Sequence, residues 1–175
     1  MALCFRDAAD VVVTLAMDER SQARVLALQA LCLLDGPAGD YGGGLESFLR
    51  DPENYADLGW PEAVSPAVVT QAHQLARSAW EHRVQGDEWL NRFATNWTVA
   101  QMQPVDRNIL RLGAYELLER PDVPPSVVIA EAVALADQFT GREARALVNG
   151  VLDAIRRALK AGGSASPVES PNPET

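Results

Sequence analysis

Residues that usually carry chemistry are scarce in this chain. It has two cysteines, two histidines and no apolar run near the roughly 20 residues that a membrane span needs. Cys4 and Cys32 form no metal-type spacing, and in a chain of cytosolic character they read as reduced thiols. His73 and His82 lie nine residues apart on one expected helix. At roughly 100° per residue they face opposite ways and cannot share a metal there. Neither a Walker-type phosphate loop nor a dinucleotide fingerprint is present, and the triple glycine at 42–44 precedes only a weak helix signal. No serine or cysteine has a recognisable base partner. The expectation is a protein with no catalytic residues, metal or cofactor. The segment nearest to a leader, residues 8–17, is short, interrupted by Asp10 and preceded only by Arg6, with no small-residue cleavage site. The expected location is the cytoplasm.

Positive charge is in the minority, with 15 Lys and Arg against 24 Asp and Glu for a net charge of -9. Its distribution is uneven. Residues 35–62 hold seven acidic residues and one basic one, Arg50, a net −6 of the chain's −9. Residues 142–160 reverse this, with Arg142, Arg145, Arg156, Arg157 and Lys160 against Glu143 and Asp153. Nucleic acid responds to potential within a Debye length, about 8 Å at physiological salt, so global acidity does not exclude a local site.

A hydrophobic content of 47% over 175 residues supports one core, and the apolar spacing is helical throughout. Asp18 caps a first helix whose stripe is Ala23, Leu26, Ala27, Ala30, Leu31 and Leu34, stopped by Asp35-Gly36-Pro37. A glycine-rich loop leads to a short helix near residues 45–49, and 51–62 reads as irregular. Ser65-Pro66 opens a helix to about Gln85, with Val68, Val69, Ala72, Leu75, Ala76 and Ala79 buried and Gly86 ending it. Asp87 then caps a helix carrying Leu90, Phe93 and Trp97. Three more helices are expected at 104–119, 125–139 and 142–160. The expectation is an all-α single domain of about seven helices over residues 18–160. Residues 1–17 form an N-terminal extension, in which 11–14 favour strand or an extra packed segment. Met17 stands just before the helical region, so residues 1–16 read as a mis-assigned start. Residues 161–175 read as a disordered tail by composition.

Four blocks carry a resemblance: A-R-V-L-A-L-Q-A-L (23–31), V-D-R-N-I-L-R-L-G-A-Y-E-L-L (105–118), P-D-V-P-P-S-V-V-I-A-E-A-V-A-L-A (121–136) and A-L-V-N-G-V-L-D-A-I (146–155). In order and spacing they resemble the NusB family of transcription antitermination factors, small all-helical RNA-binding proteins. The resemblance covers roughly residues 19–160. It implies an adaptor that binds single-stranded boxA-type RNA of ribosomal-RNA transcripts, together with a small-subunit ribosomal protein, in an RNA polymerase antitermination complex. It also implies a monomer or a homodimer.

The family's arginine-rich start of the first helix matches D-E-R-S-Q-A-R here. Arg20 and Arg24 are four apart and so on one face, while Ser21 and Gln22 stand where more basic residues are common. The turn at Thr140-Gly141 opens the last helix with outward N–H groups that favour an anion, and Arg142, Arg145 and Asn149 follow. The resemblance places that turn beside the first helix's arginines, forming one positive island. The expected RNA-binding residues are therefore Arg20, Arg24, Arg142, Arg145 and Asn149. Asn149 also reads as a structural amide, and Gly150 as a site of close helix packing. Asp106 suits a helix dipole, and the resemblance implies that Asp106 and Arg107 contact the ribosomal protein. Arg111 and Glu116 are expected to stabilise their helix or tie it to its neighbours, and Trp97 to be packed. The competing expectation is a protein-interaction scaffold with little or no RNA binding, in keeping with the thinned arginines and the acidic 35–62 stretch. A fused-methyltransferase reading would need a separate catalytic partner.

Overall fold

The helical spacing builds the expected elements, and their caps show why they start where they do. The computed structural model describes residues 17–37, 44–58, 60, 64–95 and 97–162. Their order is α1 (Glu19–Leu34), α2 (Gly44–Arg50), α3 (Pro52–Asp57), α4 (Pro66–Glu81), α5 (Arg83–Phe93), a 3-10 turn (Val99–Gln101), α6 (Pro104–Glu119), α7 (Pro125–Phe139) and α8 (Arg142–Lys160). No strand occurs among the described residues. Asp18 Oδ1 accepts from the Ser21 N–H at 2.8 Å, and Ser65 Oγ from the Val68 N–H at 3.3 Å ahead of Pro66. The expectations for residues 1–16, for Gly42 and Gly43 and for 163–175 fall outside the described residues.

Three local expectations are corrected. Residues 52–57 are helical, with Pro52 opening the turn and Asp51 accepting from the Glu53 N–H at 3.0 Å. The fourth helix ends at Glu81, so the break comes at His82 and not at Gly86, which is buried inside α5. Asp87 caps nothing; its carboxylate receives two bonds from Arg111, each 2.8 Å.

Helix α1 is the axis of the fold. Residues 23–31 are buried in unbroken succession, so it is covered on all sides, as expected of a helix that is apolar nearly all round. It packs chiefly on α4 and also on α6. The α7–α8 hairpin closes against α6, with Val128, Ala132, Ala136, Val148, Leu152 and Ile155 buried between them. The α4 face read from the spacing is the buried face observed.

Gly150 does not make a close helix contact: it is exposed, and nothing lies within 4 Å of a Cβ built on it. The close approach is at Gly113 of α6, where a Cβ would stand 2.6 Å from Leu152 Cδ1. Leu152 is itself fully buried and has little room to yield. Gly113→Ala is therefore expected to destabilise by about 1 kcal/mol, overpacking outweighing the gain in helix propensity. Gly150→Ala is expected to stabilise by about 0.5–1 kcal/mol. Urea midpoints at unchanged m-value measure both, and shifts of the same sign would contradict this packing.

Candidate RNA interface

Arg24 is the first surprise in the site. Its position one turn into α1 points it inward, where it is 6% exposed. Nε donates to Glu116 Oε2 at 3.0 Å and Nη2 to Glu116 Oε1 at 2.8 Å, a bidentate pair across to α6. A second carboxylate, Glu131 of α7, lies 3.6 Å from Nη1 and accepts the Ser21 hydroxyl at 2.7 Å. Burial works against the guanidinium's charge, but hydrogen bonding and attraction from Glu116, with the Glu131 charge, hold it more firmly protonated than usual. A guanidinium so engaged cannot reach a phosphate. The expectation that Arg24 binds RNA is corrected, because its partner is a carboxylate 92 residues away that spacing alone does not reveal.

The remaining expected residues are on the surface. Arg20, Arg142, Arg145 and Asn149 are exposed. Arg145 makes one loose ion pair with Asp137 at 3.7 Å, both side chains more than half exposed, a geometry worth little. Arg20 and Arg142 have no ion pair among the described residues; Arg20 is near enough to Asp122 for its charge to help hold that carboxyl low. Gly141 takes φ 101° at the start of α8, a conformation open to glycine, and no side chain caps the helix. Its first-turn N–H groups are left to solvent or to an anion, with Arg142 and Arg145 beside them.

The expected island contains carboxylates of α7: Glu131 meets the start of α1 and Asp137 the start of α8. The C-terminal half of α7 lies between the start of α1 and the start of α8. Met17 and Ser21 share a cleft of about 310 Å³ with Glu131, Ala134, Leu135, Asp137 and Gln138. The cleft carries the carboxylates of Glu131 and Asp137 and is lined by the start of α1 and by α7.

Asp106 and Arg107, adjacent in sequence, point to different places. Asp106 lies half-buried, with Oδ1 lacking a hydrogen-bond partner among the described residues. Burial pushes its carboxyl above the usual range, opposed only by the Thr140 side chain at the turn into α8. That places it under the α8 start. Arg107 instead turns to the end of α1, donating to Asp35 and to the Met102 carbonyl. Its expected partner contact is corrected: the side chain is already paired and 19% exposed. Asp35 also accepts from Arg111 at 2.8 Å and Asn108 at 3.0 Å, so the residue read as a helix stop is a hub between α1 and α6. Trp97 is not packed; it is 55% exposed in the chain between α5 and the 3-10 turn, while Trp60 and Trp89 are buried.

Compared with known families, residues 21–157 match the model of the NusB family. The chain belongs to the NusB family. It is 39% identical over 140 residues to the transcription antitermination protein NusB of Desulforapulum autotrophicum, covering 80% of this chain and 92% of that one. It is 36% identical over 148 residues to that of Symbiobacterium thermophilum, covering 83% and 94%. Among solved structures it resembles the antitermination factors NusB and NusE in complex with dsRNA (TM-score 0.67, 25% identity, 81% of this chain and 98% of that one). It also resembles the solution structure of NusB from Aquifex aeolicus (TM-score 0.67, 26% identity, 86% and 97%).

The two half-buried aspartates titrate in opposite senses. Burial would raise Asp35, but bonds from Arg107, Arg111 and Asn108 hold its carboxyl below the usual value. Its stabilisation is complete above about pH 3.9, the unfolded value, and is lost as pH falls through the lower folded value. Asp106, raised, contributes the other way: stability is lost as pH rises from about 3.9 through its folded value. At pH 7, Asp35→Asn is expected to cost about 2 kcal/mol, and Asp106→Asn to stabilise. Thermal melts at pH 7 check this, and destabilisation by Asp106→Asn would refute the assignment.

Proposed function

We propose that this chain is a non-enzymatic transcription antitermination factor. It works in the cytoplasm, recognising single-stranded boxA-type RNA in nascent ribosomal-RNA transcripts together with a small-subunit ribosomal protein. The assembly it joins on RNA polymerase suppresses termination. The observation that carries the reading is the uncapped start of α8, where free N–H groups, Arg142 and Arg145 converge above Asp106. Arg20 at the start of α1 adds a third cation, and the half-buried Asp106 is the group retained for the protein partner. Family membership and the likeness to a NusB–NusE–RNA structure support the assignment.

A shallow helical surface suits a single strand, whose base edges are free, better than the deep groove of a duplex. With Arg24 buried, no more than Arg20, Arg142 and Arg145 among the expected residues can neutralise phosphates. The log-log salt slope is then about −2 at most, at about 0.7 per phosphate on a single strand. Such binding is weak alone, and the ribosomal protein supplies the remaining affinity by adding surface. The scaffold reading draws on the carboxylates Glu131 and Asp137 in the cleft, which oppose a polyanion there.

Fluorescence anisotropy with a boxA-type RNA and a scrambled control, with and without the ribosomal protein, separates the two. Arg20→Ala and Arg142→Ala are each expected to weaken binding several-fold and to flatten the salt slope by about 0.7. Arg77→Ala, which removes an exposed α4 pair to Glu81, leaves both unchanged. Equal binding of the two RNAs in both conditions would establish the scaffold.

A further inference from the structure

We propose that RNA contact continues beyond the α8 start along the whole outward face of that helix, which acts as a track for the phosphate backbone. The inference deepens the proposed function and rests on it. At roughly 100° per residue, Arg142, Arg145, Asn149, Arg156, Arg157 and Lys160 all lie within about 60° of one line down the helix. The line runs from Arg142 to Lys160, eighteen rises of 1.5 Å or about 27 Å, well past the turn that starts the proposed site.

The face is open along its length. Side chains of Arg145, Arg156 and Arg157 are 55%, 38% and 67% exposed, and Arg142 and Lys160 are exposed with no ion pair among the described residues. Asp153 is the one carboxylate on the line, and it is shared between Arg156 at 2.7 Å and Arg157 at 3.0 Å. Either guanidinium can turn to a phosphate while the other keeps Asp153, since exposed pairs of this kind hold weakly. The segment carries five cations against two carboxylates in a chain of net charge -9. At mid-helix the exposed positions Ala146 and Gly150 present almost no side chain, so a strand can lie close to the helix there.

Cations at the end of α8 also complement its dipole. That accounts for Arg157 and Lys160 as neighbours of the last carbonyls, but not for their alignment with Arg142 and Arg145 about three to five turns away. A dipole role and a track differ in what they predict for RNA length.

The test compares a boxA-type RNA with the same RNA carrying six unstructured nucleotides on each end, using the full chain with its ribosomal-protein partner. The longer RNA is expected to bind more tightly, with a salt slope steeper by about 1.4 for two further phosphates, an additional loss of about 7-fold between 50 and 200 mM salt. R157E/K160E is expected to remove that gain and leave the short RNA unaffected. Equal slopes for the two RNAs, or a gain that survives R157E/K160E, overturns the track. If the short RNA fails to bind, the underlying function is what has failed. The track then stands only if the long RNA still binds and R157E/K160E abolishes that binding; otherwise it falls too.

Discussion

The ion pair between Arg24 and Glu116 sets the geometry on which the rest of the site depends. Both groups lie in the core, where an unpaired charge costs several kcal/mol, so each is committed to the other. Through Glu131 and the Ser21 hydroxyl the same cluster reaches α7. At the opposite end of α1, Asp35 accepts from Arg107, Asn108 and Arg111 of α6. The central helix is thus clamped to α6 near both ends. The first turn of α1 cannot slide or rotate relative to α6 without breaking a buried charge pair. The presentation of Arg20 and the width of the cleft beside it follow from this internal arrangement.

Much of the fold was legible because helical spacing reports burial directly. The six-residue stripe of α4, the Asp18 and Ser65 caps and the proline starts of α6 and α7 needed no tertiary information. Errors occurred where a local signal had two meanings. Gly86 reads as a stop, yet it lies buried within α5, and the chain breaks four residues earlier at His82. Gly113 and Gly150 both sit inside helices, but only the packing of Leu152 shows which one is needed for space. Trp97 looks like a packed aromatic and stands in solvent.

The site was legible only in part, for the same reason. Arg20 and Arg24 are four apart and do lie on neighbouring faces, but one faces water and the other the core. A signal for this was present: Arg24 sits between Ala23 and Val25 at the head of a segment apolar nearly all round, where a charged residue needs a buried partner. Glu116, embedded in A-Y-E-L-L, was the matching acidic residue. Arg107 deceived in the opposite way, a charged residue beside a functional-looking aspartate that is in fact engaged with Asp35. What remains for RNA at the expected site is Arg20, Arg142 and Arg145, all exposed, at the starts of α1 and α8. An acidic protein can hold a polyanion on such a surface because screening confines each charge to its neighbourhood.

The central claim is that RNA lies on the uncapped start of α8 while Arg24 serves the core. A hydrogen-exchange footprint of the full chain with boxA-type RNA and the ribosomal protein, against the chain with the ribosomal protein alone, tests it most directly. The account predicts RNA-dependent protection of the amides at residues 141–145 and in the first turn of α1, with α4 unchanged. Protection centred on α4 or the α2–α3 region, with the start of α8 exchanging as before, would contradict it.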